Sequence, residues 1–138
     1  MLKICEPLAF SGNPNVMMKH VLRYPNKNWK LTMLSMNANI TMKDILKYPN
    51  FQWYGPNLCM NPNITIDFML KYYNHDNFDQ YFWVNYSKNP SLTIHDIIKY
   101  PKKPWSWDYL SCHKNIKLHD ILKYPELPWL FTFVSINP

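Results

Sequence analysis

The apolar positions of this chain come in short bursts at helical spacing, each cut off by a tyrosine and a proline. Met42, Ile45 and Leu46, and again Ile94, Ile97 and Ile98, fall at i, i+3 and i+4 and predict one buried helical face. Thr41, Thr65 and Thr93 stand where an N-cap is wanted, and Asp44 and Asp96 follow three residues later, as in a capping box. Met17 and Lys117 hold the cap position in two other bursts. The proline of Lys-Tyr-Pro cannot continue a helix and biases the tyrosine before it away from α, so each helix is predicted to run about two turns. A second segment follows each burst. It carries Trp29, Trp53, Tyr81, Trp105 and Trp129 at one position, then Leu34, Leu58, Tyr86, Leu110 and Val134 five residues on. Pro104 and Pro128 directly precede the tryptophan and predict the first turn of another helix or a 3₁₀ turn.

These bursts repeat in register. Asn13-Pro-Asn-Val16 returns as Asn37-Ala-Asn-Ile40, Asn61-Pro-Asn-Ile64, Asn89-Pro-Ser-Leu92 and His113-Lys-Asn-Ile116, and the chain given stops at Asn137-Pro138. The offsets are 24, 24, 28, 24 and 24 residues. A second anchor keeps the same register: Arg23-Tyr-Pro25, Lys47-Tyr-Pro49, Lys71-Tyr-Tyr73, Lys99-Tyr-Pro101 and Lys123-Tyr-Pro125. Both anchors jump by 28 only after residue 73, so the third repeat carries four extra residues around Asn74-His-Asp-Asn77. The expected fold is all-α: an α-solenoid of five repeats, each a short α-helix with a second short α or 3₁₀ helix. The whole chain, 1–138, is expected to be a single repeat domain. A partial unit, 1–12, leads into repeats 13–36, 37–60, 61–88, 89–112 and 113–136.

Composition agrees with this layout. The chain holds 12 Pro and 16 Asn against 2 Gly, which the Asn-Pro-Asn turns and Tyr-Pro stops explain, since neither device needs positive φ. So few glycines also argue against a β-protein rich in primed turns and against a Gly-rich phosphate loop. With 138 residues, 47% hydrophobic and 17% charged, the chain is long and apolar enough to bury a core. Three cysteines, Cys5, Cys59 and Cys112, share no C-x-x-C spacing, so free thiols in a reducing compartment are expected. The start, Met1-Leu-Lys-Ile-Cys-Glu-Pro, puts an acid and a proline where a signal peptide needs an apolar run. No window approaches the roughly 18 apolar residues of a membrane span. An intracellular location without membrane contact is therefore expected.

Twenty-four residues is too short for a tetratricopeptide or ankyrin unit, which take about 33 or 34. The turn, stop and tryptophan residues quoted above resemble the leucine-rich-variant repeat, a 24-residue unit that alternates an α-helix with a 3₁₀ helix. They are still more similar to tandem N-P-N-I-T…W…L-S repeats in proteins of giant amoeba-infecting viruses. The resemblance covers nearly the whole chain. It implies an α-solenoid from a giant virus, in the host cytoplasm or the virion, and implies no activity. One leucine-rich-variant relative carries an iron–sulfur cluster, which needs a cysteine cluster this chain lacks, so no cofactor is expected.

Equivalent positions of such an array stack into ladders, and one of them is basic. Arg23, Lys47, Lys71, Lys99 and Lys123 place a cation near the C-terminus of every first helix, within a formal charge of +6 from 15 Lys and Arg against 9 Asp and Glu. Cations there complement the helix dipole in any repeat protein; alternatively they form a rail for phosphates or an acidic partner. The recurrent tryptophans read chiefly as inter-repeat core with a bonded indole N–H, whereas Trp83 and Trp107 are expected partly at the surface. His95 and His119 read as surface histidines, because a zinc site wants four converging ligands, and no metal is expected. Cys59 occupies the place of Ser35, Ser87, Ser111 and Ser135 and reads as a small-residue substitution. The insertion, with His75, Asp76 and Asp79, is a candidate partner contact.

No nucleophile, base and acid sit in a recognisable motif, so catalysis is not expected. The expected function is a non-catalytic repeat scaffold for protein–protein interaction. Apolar Phe133 and Val134 near the final residue also suggest self-association through uncapped ends. The alternative is a basic nucleic-acid-binding array that uses the Arg/Lys ladder.

Overall fold

The computed structural model describes residues 10–72 and 80–137, so His75, Asp76 and Asp79 lie outside the described residues. Among the described residues the fold is all-α, with ten short helices and no strand. Two compact units, Met1–Ile64 and Thr65–Pro138, divide the chain. The first holds α1 (Met18–Arg23), α2 (Leu31–Ser35), α3 (Met42–Lys47) and α4 (Gly55–Leu58). The second holds α5 (Ile66–Tyr72), α6 (Gln80–Tyr86), α7 (Ile94–Lys99), α8 (Trp107–Ser111), α9 (Leu118–Lys123) and α10 (Phe131–Val134).

The capping logic of the sequence is what starts the first helices. The backbone N–H of Thr41 donates to Asp44 Oδ2 at 2.9 Å and that of Thr93 to Asp96 Oδ2 at 2.8 Å. Where threonine is missing the reciprocal half survives: Lys117 N–H donates to Asp120 Oδ2, and Met17 N–H to His20 Nδ1. The Tyr-Pro stop works as expected. Tyr24, Tyr48, Tyr100 and Tyr124 leave the helix at φ near −125° and ψ near 60°, each donating a last N–H back into its helix. The tyrosine carbonyl then receives the indole Nε1–H five residues on, for Trp29, Trp53, Trp105 and Trp129, at 2.8–3.0 Å. These tryptophans lie in the extended link before the second helix, not in its first turn. The indole bond ties them to the preceding stop, and α2, α4, α8 and α10 begin two residues later.

Hydrogen bonds at one-repeat offsets fasten neighbouring blocks. Asn37 Nδ2–H donates to Asn13 O, and Asn61 Nδ2–H to the carbonyls of Ser35, Asn37 and Ile40. Asn137 makes the same three-way contact with Ser111, His113 and Ile116 in the second unit. Asn37 and Asn61 also close their own turns, Asn39 N–H donating to Asn37 Oδ1 and Asn63 N–H to Asn61 Oδ1. A serine network runs in parallel. The N–H groups of Lys30, Tyr54, Ser106 and Leu130 donate to the hydroxyls of Ser11, Ser35, Ser87 and Ser111, nineteen residues earlier, at 2.8–2.9 Å. Second helices pack on one another, α2 on α4 and α8 on α10.

The core departs from the predicted face at one place. Met18, Val21, Ile45, Ile94, Ile97 and Ile121 are buried, but Leu46 and Ile98, the i+4 residues, are 49% and 37% exposed. Their place against the core is taken by Val16, Ile40, Ile64, Leu92 and Ile116, which close each Asn-Pro-Asn turn and are buried. A helix of six residues needs only two inward positions when the turn before it supplies a third. The third block also differs from expectation. Tyr81, aligned with the tryptophans, is 64% exposed, and Trp83, expected partly at the surface, is buried with its ring 5.0 Å from Trp105.

Candidate functional site

Of its six residues, α1 leaves Lys19, Leu22 and Arg23 exposed. At about 100° per residue, positions 22, 19 and 23 are contiguous on the exposed arc of α1, and Met18 and Val21 occupy the opposite one. The same arc reads Leu46, Lys43 and Lys47 on α3; Leu70, Asp67 and Lys71 on α5; Ile98, His95 and Lys99 on α7; Leu122, His119 and Lys123 on α9. Each first helix thus carries an aliphatic residue, a variable residue and a base on this arc, Leu70 being half-buried and α9 exposing Leu118 as well. Leu22 and Leu122 are 43% and 69% exposed.

Every base of the ladder is laid over the tyrosine that follows it. Arg23 stands 5.6 Å from the Tyr24 ring centroid, Lys47 5.4 Å from Tyr48 and Lys71 5.1 Å from Tyr72. Lys99 and Lys123 repeat the arrangement on Tyr100 and Tyr124 at 5.4 and 5.2 Å. The stop tyrosine therefore steers the charge outward along its ring face while the stem lies on the helix end.

Among the described residues, one base of the ladder has an acid. Asp67 accepts from Lys99 Nζ at 2.9 and 2.7 Å and from the Tyr100 hydroxyl at 2.5 Å. Those bonds, the lysine's foremost, hold the Asp67 carboxyl below its ordinary range and raise the Lys99 ammonium and Tyr100 hydroxyl in turn. Asp67 is free for this because Phe68 occupies the N3 position of α5, where the other first helices carry Asp44, Asp96 and Asp120 for capping; Phe68 N–H donates to Thr65 Oγ1 instead. The shift of one acid by one residue is legible in the sequence, and it was the signal for this contact.

Other candidates resolve into structure. Trp53, Trp105 and Trp129 are buried and Trp29 is half-buried, each indole N–H bonded, so these recurrent tryptophans do not form an open platform for base stacking. The Cys59 thiol is buried and donates to Gly55 O, as Ser35 Oγ–H does to Leu31 O and Ser87 Oγ–H to Trp83 O; burial pushes it up to about 12, far from thiolate chemistry. His119 sits 3.2 Å from Asp120 at the surface. His113 replaces the turn asparagine, with Nε2 3.0 Å from Asn89 O and Nδ1 accepting from Asn115 N–H. Among the described residues no three His, Cys, Asp or Glu gather to hold a metal ion, and no helix is long and apolar enough to cross a membrane. Comparison with protein-family models, curated proteins and solved structures gave no match.

Proposed function

We propose that the chain is a non-catalytic α-solenoid of five repeats, similar to the giant-virus arrays, that binds a protein along the exposed arcs of its first helices. The carrying observation is that first helices of each unit hold aliphatic side chains in water beside bases, Leu22 and Leu46 in the first unit and Ile98 and Leu122 in the second. A helix that needed only solubility would place polar residues there. Aliphatic anchors flanked by cations fit a protein face, in which apolar contacts supply affinity and charges supply register.

Nucleic-acid binding is the second reading. It is favoured by the first unit, whose described residues hold six Lys or Arg and one acid, Asp44, engaged at its N-cap. Leucines contribute nothing to phosphate contacts, and the recurrent tryptophans are turned into structure, so the protein reading is preferred. Affinity capture from nuclease-treated amoebal extract, read by mass spectrometry, tests it. Proteins held by the chain are expected to be lost from a Leu22→Ser, Leu46→Ser, Ile98→Ser, Leu122→Ser variant that keeps its helical circular dichroism. Release by nuclease alone would move the assignment to the second reading; capture indifferent to the four leucine-row changes would end the first.

A further inference from the structure

The two units treat the same arc differently. In the second unit an internal carboxylate, Asp67, is clasped by the base and tyrosine one repeat on, Lys99 and Tyr100. In the first unit the place of Asp67 is held by Lys19, and the places of Lys99 and Tyr100 by Lys47 and Tyr48. Lys43 occupies the equivalent place on α3. Lys19, Arg23, Lys43 and Lys47 are all exposed, and among the described residues the ion pairs are Lys99–Asp67 and His119–Asp120. The first unit therefore carries bases at the sequence positions of both partners of that clasp and no acid at either.

We infer that the α1–α3 face, Lys19, Leu22, Arg23, Lys43, Leu46 and Lys47, receives an acidic amphipathic segment of a protein partner, its carboxylates taking the role that Asp67 plays in the second unit. Charge complementarity selects the occupant. Four cations with no ion-paired acid among the described residues repel one another until a polyanion enters, and the two leucines beside them require that the polyanion also carry apolar side chains. A phosphate backbone satisfies the first demand and not the second. The second unit, with Asp67, His95 and His119 at the variable position, lacks this surplus of charge and is not the acidic segment's site. This inference rests on the binding function proposed above and names its partner's chemistry.

The experiment is fluorescence anisotropy at low salt with the full chain and three labelled probes: a synthetic helix of glutamates and leucines, the same helix with glutamine for glutamate, and a single-stranded oligonucleotide. The glutamate–leucine helix is expected to bind tightest, with affinity falling as salt rises. Lys19→Asp with Lys43→Asp should weaken it about tenfold or more. That pair copies the acid of Asp67 into equivalent positions, so folding is expected to persist and is verified by circular dichroism. Lys114→Asp with Lys117→Asp, the same change in total charge placed on the second unit, should leave binding within about twofold. Equal binding of the glutamine helix, or indifference to the Lys19 and Lys43 changes, overturns the inference; so does tighter binding of the oligonucleotide through those lysines. If the captured proteins survive the Lys19 and Lys43 changes but not the leucine-row changes, the binding function stands and this assignment of its partner falls.

Discussion

Ser35 does the work of two backbone groups. Its hydroxyl donates to Leu31 O and accepts the N–H of Tyr54, so a fully buried side chain both ends α2 and fixes the link ahead of α4. Ser35→Ala leaves the Tyr54 N–H without its acceptor and is expected to cost about 1–3 kcal/mol in urea unfolding. His113 is a second residue with two bonds, and it works only when neutral. A proton on Nδ1 would face the Asn115 N–H it now accepts, and burial holds the group below its ordinary value of 6.5. The unfolded chain therefore takes up this proton first as pH falls, so the contribution is present above about 6.5 and is lost progressively below it. His113→Asn restores the residue of the other turns. The fall in urea midpoint between neutral and mildly acidic pH is expected to shrink in that variant.

At the scale of elements, the first helices are written almost completely in local chemistry. Threonine, an acid three residues on and a Tyr-Pro pair define where α3 and α7 begin and end. Asp96→Ala removes the acceptor for Thr93 N–H and the α7 cap, with an expected loss of about 0.5–2 kcal/mol measured by urea unfolding followed by circular dichroism. The second segments were less legible. A proline before tryptophan has the same sequence in a helix's first turn and in an extended link, and only the indole bond to a carbonyl five residues back decides between them. Leu46 and Ile98 misled for a related reason. Helical spacing marks which residues share a face, but a third core position was already filled by Ile40 and Leu92 from the turns before, outside any helical period. Of the site, the base ladder was legible from repetition alone. The exposed aliphatic row was hidden, because i, i+3, i+4 spacing reads as core until the competing turn residue is seen to be buried.

The charge of the whole molecule, +6, is unevenly held, with the described residues of Met1–Ile64 carrying six bases and one acid. That imbalance, and not the total, distinguishes the two units chemically. The block 89–112 carries both halves of its fastening: the Ser106 N–H reaches back nineteen residues, and the Ser111 hydroxyl accepts from nineteen residues ahead. A duplicate of residues 89–112 spliced in after Cys112 would therefore bring its own donor and acceptor in step. Its expected outcome is unchanged helicity per residue and a urea midpoint no lower than that of the parent chain. A copy shortened by two residues between Trp105 and Ser111 should lower both. The hydrogen bonds thus set a word length for the sequence. Within a word, letters such as Lys19, Lys43 and Asp67 can be exchanged to change what is bound, while whole words can be gained by copying without any new contact having to be invented.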